Sequence, residues 1–173
     1  MSPGAVPLRV RETGPELAAA LGALWVAVTR VGGAVGFEPA SAEADIRAAA
    51  DHVVAEVAAG REIMLALGDA AAPTGVVFLR PGTQSTTEHR ADLLRLMVHP
   101  DQQGGGFGRA LVDAAVAESR ALGLETLLLS ARGGTTLPDF YTRLGWTAVG
   151  VWRGSVKLTG GERRDEHWFQ LHL

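Results

Sequence analysis

The stretch from Leu94 to Leu111 constrains this chain more than any other part of it. Leu93 to Val98 is an apolar run broken only by Arg95, which reads as a buried strand. Pro100 ends it. Glycines at 104, 105, 106 and 108 follow, and from Arg109 to Leu122 the apolar residues recur at helical spacing: Leu111, Val112, Ala115, Val116 and Leu122 fall on one side. A strand, a glycine-rich turn and a helix start make an anion site. The first N–H groups of a helix lack internal partners, and its dipole places about half a positive charge there. Glycine lets the backbone come close to an oxyanion and adopt positive φ.

Two familiar phosphate motifs are absent. Glycines at first, third and sixth place would mark a dinucleotide loop, but the frames starting at 104 and 106 put Arg109 and Leu111 in the sixth. A Walker A loop needs Gly-Lys-Ser/Thr, whereas Gly108 is followed by Arg109 and Ala110. What the stretch carries is Gln103-x-x-Gly106-x-Gly108 behind Val98-x-Pro100.

The chain of 173 residues, 47% hydrophobic and 20% charged, suits one globular domain over 1–173 with a full core. A net charge of -3 gives no footprint for nucleic acid or an anionic membrane. The absence of cysteine rules out a disulfide framework, a thiolate metal site and a cysteine acyl-enzyme. His52, His89, His99, His167 and His172 stand at no ligand spacing, so no metal is expected. Met1 to Pro7 has neither the basic region nor the apolar core of a signal peptide, and no apolar run reaches membrane-spanning length. The expected address is the cytoplasm.

Along the chain, Val6 to Arg11 reads as a short strand. Thr13 and Glu16 are spaced as a capping box for a helix running to about Arg30. Val31 to Pro39 is a glycine-rich loop with apolar side chains. Ser41 is placed to cap a second helix that Gly60 stops. Strands are expected at Glu62 to Leu67, Thr74 to Arg80 and Ala91 to Val98, the first two as a hairpin. After the glycine loop and its helix come a buried strand, Leu124 to Ser130, parallel to Ala91–Val98, and a short helix, Leu137 to Leu144. Alternating strands at Trp146 to Val151 and Glu166 to Leu171 close the chain.

This order and length, the Gln103-x-x-Gly106-x-Gly108 loop, and Phe140-Tyr141-Thr-Arg-Leu-Gly145-Trp146 together resemble the GNAT superfamily of N-acyltransferases. The second motif is similar to the family's Phe-Tyr-x-x-x-Gly-Phe after its fifth strand. The resemblance implies an α/β (α+β) fold: a mixed, mostly antiparallel sheet of about seven strands, a splayed parallel pair formed by the fourth and fifth, and about four helices. Within the superfamily the chain is most similar to the tabtoxin-resistance type of acetyltransferase, through Gly32-Gly33-Ala34-Val35-Gly36-Phe37, Ala91-Asp92, Leu96-Met97-Val98-x-Pro100 and Phe140-Tyr141.

The resemblance implies acetyl-CoA as co-substrate and a small-molecule amine as acceptor, in a monomer or homodimer. Backbone N–H groups of Gly104, Gly105, Gly106, Phe107, Gly108 and Arg109 would hold the pyrophosphate, with Gln103 at the head of the same cofactor-binding loop. Leu96, Met97 and Val98 would lie beside the pantetheine, with one N–H polarising the acyl carbonyl. Tyr141 would serve as acid for the departing thiolate. Asp92 aligns with a position that is the base in some members, and strand alternation places it on one face with Leu94, Leu96 and Val98. Glu88 and His99 are alternative bases. Members commonly carry Asn where this chain has Gly134; Thr135 and Thr136 are the residues placed to make that cofactor contact instead. On the acceptor side, Val31–Pro39 would form a partly mobile wall with Val35 and Phe37 excluding water and Glu38 as ammonium partner, and Ser130 would face the acceptor. Two other readings use the same parts: acetylation of protein N-termini or lysines, which needs an open groove, and a non-catalytic acyl-CoA-binding domain.

Overall fold

The computed structural model describes residues 6–69 and 71–173; Met1–Ala5, part of the segment read above for a leader, lie outside the described residues. Among the described residues, seven strands form one sheet in the order β1-β2-β3-β4-β5-β7-β6. They are β1 (Leu8–Arg9), β2 (Ile63–Asp69), β3 (Ala72–Pro81), β4 (Arg90–Val98), β5 (Thr126–Arg132), β6 (Thr147–Lys157) and β7 (Arg163–His172). Four α-helices cover it: α1 (Pro15–Arg30), α2 (Glu43–Ala58), α3 (Phe107–Ala121) and α4 (Leu137–Arg143). Every strand pair is antiparallel except β4/β5. The mixed sheet with its single parallel pair and four helices is the expected fold.

Each face of the sheet has its own core. One packs α1 and α2 (Leu21, Trp25, Ile46 and Val53) on Met64, Val76, Phe78 and Met97. The other packs α3 and α4 (Leu111, Val112, Ala115 and Tyr141) on Leu65, Val77, Leu79, Leu127 and Phe169. Central strands buried on both faces explain the near-continuous apolar runs of β2 to β4.

Several local expectations are corrected. The capping box at Thr13 does not form: α1 starts behind Gly14, which is extended and makes no side-chain cap, and Pro15 opens the helix, where a missing N–H costs nothing. Ser41 does not cap α2 either. The helix begins after Ala42, and the Ser41 hydroxyl accepts the Glu38 N–H at 3.0 Å. The first strand is only Leu8–Arg9, whereas β6 and β7 run well beyond the alternating segments read from the sequence. α3 begins at Phe107, two residues before the expected start.

The largest correction concerns β4. Between Leu94 and Met97 it holds one more residue than the facing stretch of β3 between Val76 and Phe78. Arg95, at φ 50, is the one non-glycine residue in the left-handed region among those described. This bulge reverses the alternation. Leu96 and Val98 turn to the face that holds Ala91 and Leu93, while Leu94 and Met97 pack on the α1/α2 side. Asp92 therefore does not share a face with Leu96 and Val98.

A left-handed arginine needs support, and three neighbours give it. The guanidinium bonds Glu62 Oε2 at 2.8 Å and lies over the rings of Phe78 and Trp25, at 5.7 and 6.0 Å from their centroids. Glu62 is itself fully buried, and its other oxygen takes Arg80. Arg95→Leu keeps the unfavourable φ and strips Glu62 of one cation. We expect a loss of about 2–3 kcal/mol, near the lower end for a broken buried pair because Arg80 remains. The thermal midpoint should fall by about 5–10 °C. Arg95→Gly, which relieves the backbone, should lose less; equal melting of both variants would mean that the left-handed φ carries no cost.

Candidate active site

β4 and β5 pair over three residues only, Arg90↔Thr126, Ala91↔Leu127 and Asp92↔Leu128. Beyond Asp92 the two strands separate, although β4 continues to Val98 and β5 to Arg132. The other edge of β4 stays bonded to β3. The parting leaves a cleft of about 1000 Å³ that runs through the sheet plane from the glycine loop to the Val31–Ser41 segment.

At one end stands the loop that dominates the sequence. Gln103 Nε2 donates to the Val98 carbonyl at 3.1 Å and ties the loop to the strand end. Gly104 and Gly106 are left-handed, at φ 80 and 82, and Gly106 is the N-cap of α3. Ala110 N is the first in the helix to find a backbone partner, the Gly106 carbonyl at 3.1 Å. Among the described residues, the N–H groups of Gly104, Gly105, Gly106, Phe107, Gly108 and Arg109 have none. A Cβ at Gly104 or Gly106 would meet nothing within 4 Å, and both residues line the cleft. The Arg109 side chain is largely exposed and pairs with Asp113 at 3.4 Å. This is a cradle of unspent donors, and it fits a pyrophosphate.

Of the residues expected beside a cofactor, Leu96, Val98, Gln103, Gly104, Gly106, Phe107, Gly108, Arg109, Thr135, Thr136 and Tyr141 line the cleft. Two do not. The Met97 side chain is buried in the α1/α2 core, and Gly105 faces the Phe107 ring, which a Cβ there would strike at 2.8 Å. Thr135 is already engaged: its hydroxyl donates to the Arg132 carbonyl at 2.7 Å and accepts the Leu137 N–H at 3.3 Å. Gly134, where family members commonly carry asparagine, is left-handed at φ 72, and a Cβ there would meet the tip of the Arg164 side chain.

Tyr141 forms the wall opposite β4. It is 5% exposed, with its ring against Phe140, Trp146 and Phe169. No group among the described residues bonds its hydroxyl. Burial holds the phenol well above its ordinary value, so it stays neutral across the working pH range.

The far end is roofed by the Val31–Ser41 segment. Trp25 Nε1 donates to the Val35 carbonyl at 2.9 Å, and the Trp25 and Phe37 rings meet edge to face at 5.7 Å. Val35 and Phe37 are half-buried; they line the cleft and also pack on the core edge. Glu38 Oε1 accepts from Thr159 N and Oγ1, at 2.7 and 2.9 Å, latching the roof to the β6–β7 turn. Ser130 also lines the cleft and donates to Glu166 Oε1 at 2.7 Å.

The candidate bases fare differently. Asp92 lies outside the cleft lining, in the paired part of β4/β5 opposite Leu128. Glu88 is outside it too, and His99 Nδ1 accepts the Asp101 N–H at the end of β4. Sequence reasoning missed Glu166 as a cleft residue, because only the β5/β7 register brings it beside Ser130. It also missed Arg95, Arg132 and Lys157 in the lining. Among the described residues no cluster of acidic or imidazole side chains has metal-binding geometry, and no helix is long and apolar enough to cross a membrane.

A family model described as an acetyltransferase (GNAT) domain matches residues 51–148. That span holds the glycine loop, both strands of the splay and Tyr141. No curated protein sequence matches the chain. Solved structures do. An acetyltransferase of the GNAT family from Streptococcus pneumoniae is 17% identical, with a TM-score of 0.74 over 96% of this chain and 99% of the other. A ribosomal-protein-alanine N-acetyltransferase from Brucella melitensis gives the same identity, score and coverage. The protein yncA from Salmonella typhimurium, solved with its cofactor acetyl-CoA, is 16% identical, with a TM-score of 0.70 over 97% and 94% of the two chains. At such identity these likenesses concern the fold.

Proposed function

The chain belongs to the family of GNAT acetyltransferase domains, and we propose that it moves an acetyl group from acetyl-CoA directly to the primary amine of a small, amino-acid-like molecule. The observation that carries this reading is the run of N–H groups from Gly104 to Arg109 that find no partner among the described residues, at the end of the cleft that Tyr141 and the open edge of β4 line. Acetyl-CoA supplies an activated acyl group on a thioester. The residues of this chain do the rest. The glycine loop and Arg109 hold the pyrophosphate, helped by the start of α3. Backbone N–H groups on the unpaired side of β4, around the Arg95 bulge, orient the acyl arm and polarise its carbonyl. The Tyr141 hydroxyl hydrogen-bonds the sulfur as negative charge gathers on it.

The small acceptor rests on the roof. Val31–Ser41 is tied to α1 through Trp25, to β5 through the Arg132 bond to Gly32 O at 3.3 Å, and to the β6–β7 turn through Glu38. A segment held at three points narrows the entrance, in keeping with the resemblance to the tabtoxin-resistance type. Glu38 has one carboxylate oxygen committed to Thr159, so it serves the roof first. The reading implies the cytoplasm as the working compartment.

The test is free-thiol release from acetyl-CoA over a panel of small amines, free amino acids and short peptides. Acetylation of small amines with little turnover of peptides is the expected result. Efficient acetylation of peptides alone would overturn the small-molecule acceptor, and acetyl-CoA binding without transfer to any amine would overturn the enzymatic reading.

A further inference from the structure

Two acidic side chains line the cleft, Glu38 and Glu166, and they are differently engaged. Glu38 spends one oxygen on two bonds from Thr159. Glu166 takes one bond, from Ser130, and enters no ion pair among the described residues. It stands on β7, directly opposite Arg132 of β5, while Ser130 faces Trp168. Residues opposite one another on adjacent strands share a face of the sheet, and so do residues two apart on one strand. Ser130, Arg132 and Glu166 therefore project from one face, and all three line the cleft.

Arg132 and Glu166 are partners across one rung of the sheet, yet they do not bond each other. The guanidinium turns to Gly32 O at 3.3 Å and has no carboxylate partner among the described residues. Opposed side chains start about 4.5–5.5 Å apart at Cβ. A carboxylate with spare acceptors and a planar fork with spare donors thus stand side by side in the cleft.

Resting on the acetyl-transfer reading above, we infer that Ser130, Glu166 and Arg132 form the acceptor's head-group site, with Glu166 holding the ammonium and taking its proton while Arg132 holds a carboxylate or similar anion on the same molecule. The acceptor is then a free amino acid or a close acidic analogue. Its ammonium and carboxylate are joined through a single carbon, a spacing that one carboxylate and one guanidinium on neighbouring strands can grip together. Guanidinium–carboxylate pairs are bidentate and directional, so the grip also aims the nitrogen. Val35, Phe37 and Leu158 in the lining leave an apolar space for a side chain. A peptide N-terminus carries no anion on the carbon beside its amine, and it would leave Arg132 without its partner.

The proton balance is simple. The ammonium gives one proton to Glu166, which passes it to solvent. The freed lone pair forms the C–N bond, the C–S bond breaks, and the second proton lost by nitrogen ends on the CoA sulfur. Ser130 holds Glu166 Oε1 and leaves the other oxygen for the nitrogen. Asp92, outside the lining, is not needed for this step.

The experiment compares amino acids with the amines that remain when their carboxylate is removed: leucine with isopentylamine, phenylalanine with phenethylamine, methionine with 3-(methylthio)propylamine. In the wild type, kcat/KM for the amino acid should exceed that for its amine at least tenfold in one or more pairs. Arg132→Met should abolish that preference by raising the amino-acid KM at least tenfold. Glu166→Gln should lower kcat/KM about 10²-fold and remove the amino-acid binding seen by calorimetry without acetyl-CoA. The acetyl-CoA Kd of each variant, measured the same way, reports that the fold persists. Simple amines acetylated as well as their amino acids would sink the inference while leaving N-acetyl transfer standing, and so would an undiminished Glu166→Gln. Failure of every amine, amino acid and peptide would instead bring down the acetyl-transfer reading on which it rests.

Discussion

Gly108→Val is expected to abolish acetyl-CoA binding in a protein that still folds. Gly108 sits in the first turn of α3 at negative φ, and a Cβ there would meet only Phe140 Cζ, at 3.7 Å, an ordinary contact. The protein itself has no steric need of glycine at this place. It gives up helix stability by having one, about 0.8–1.0 kcal/mol relative to alanine. The missing side chain leaves the N–H groups of Gly106 to Arg109 open to the cleft, which is what a pyrophosphate requires. Gly108→Val should raise the Kd by about 10²-fold or more in calorimetry, with Gly108→Ala in between. Because the new Cβ has room on the protein side, the melting temperature of the alanine variant should match or exceed wild type. Gly106→Val is a poorer probe, since φ 82 at the N-cap makes any side chain costly to the fold itself. An unchanged Kd in Gly108→Val would remove the glycine loop from the acetyl-CoA site.

The parts of the site that sequence reasoning reached are those in which neighbours in the chain are neighbours in space. The strand, glycine turn and helix start from Leu93 to Leu122 place their own donors, and Phe140-Tyr141 brings a tyrosine into the wall within one short helix. The parts it missed depend on register or on a local exception. Nothing in Leu94-Arg95-Leu96 announces a bulge; a left-handed arginine is disfavoured by sterics, and it persists because Glu62, more than thirty residues earlier, waits for the guanidinium. That single extra residue turned the expected face of Asp92 into the wrong one for Leu96 and Val98. Glu166 escaped because its place beside Ser130 is set by the pairing of strands whose contacting residues lie 36 positions apart in the chain. The caps at Thr13 and Ser41 failed for a different reason. A hydroxyl before an amphipathic run has competing local uses, and Pro15 in one case and the Glu38 N–H in the other decided the outcome.

Tyr141→Phe should lower turnover about 10²-fold or more and leave the acetyl-CoA Kd within about twofold of wild type, because it removes a proton donor and nothing else. The ring contacts with Phe140, Trp146 and Phe169 survive the change, so the melting temperature should stay near wild type. The chemistry of the step follows from burial. An ordinary phenol near 10 facing a thiol near 8.5 already makes full proton transfer uphill by about 2 kcal/mol. Burial raises the phenol further and steepens the climb. Tyr141 therefore acts by hydrogen-bonding the sulfur while charge develops, and it releases its proton only as another arrives. The sign of the pH effect is fixed by the same shift. A raised pKa keeps the neutral, donating form present through pH 10, so Tyr141 contributes no alkaline fall in kcat below that value. The Phe variant should show the same profile shape as wild type, displaced downward. Stability behaves correspondingly: the unfolded phenol ionises near 10 while the folded one does not, so the contribution is constant below pH 10 and declines as pH rises above it. A wild-type alkaline limb near pH 9 that disappears in Tyr141→Phe would mean that the phenol titrates in the working range. Undiminished turnover at saturating substrates would make Tyr141 a core residue with no part in the transfer.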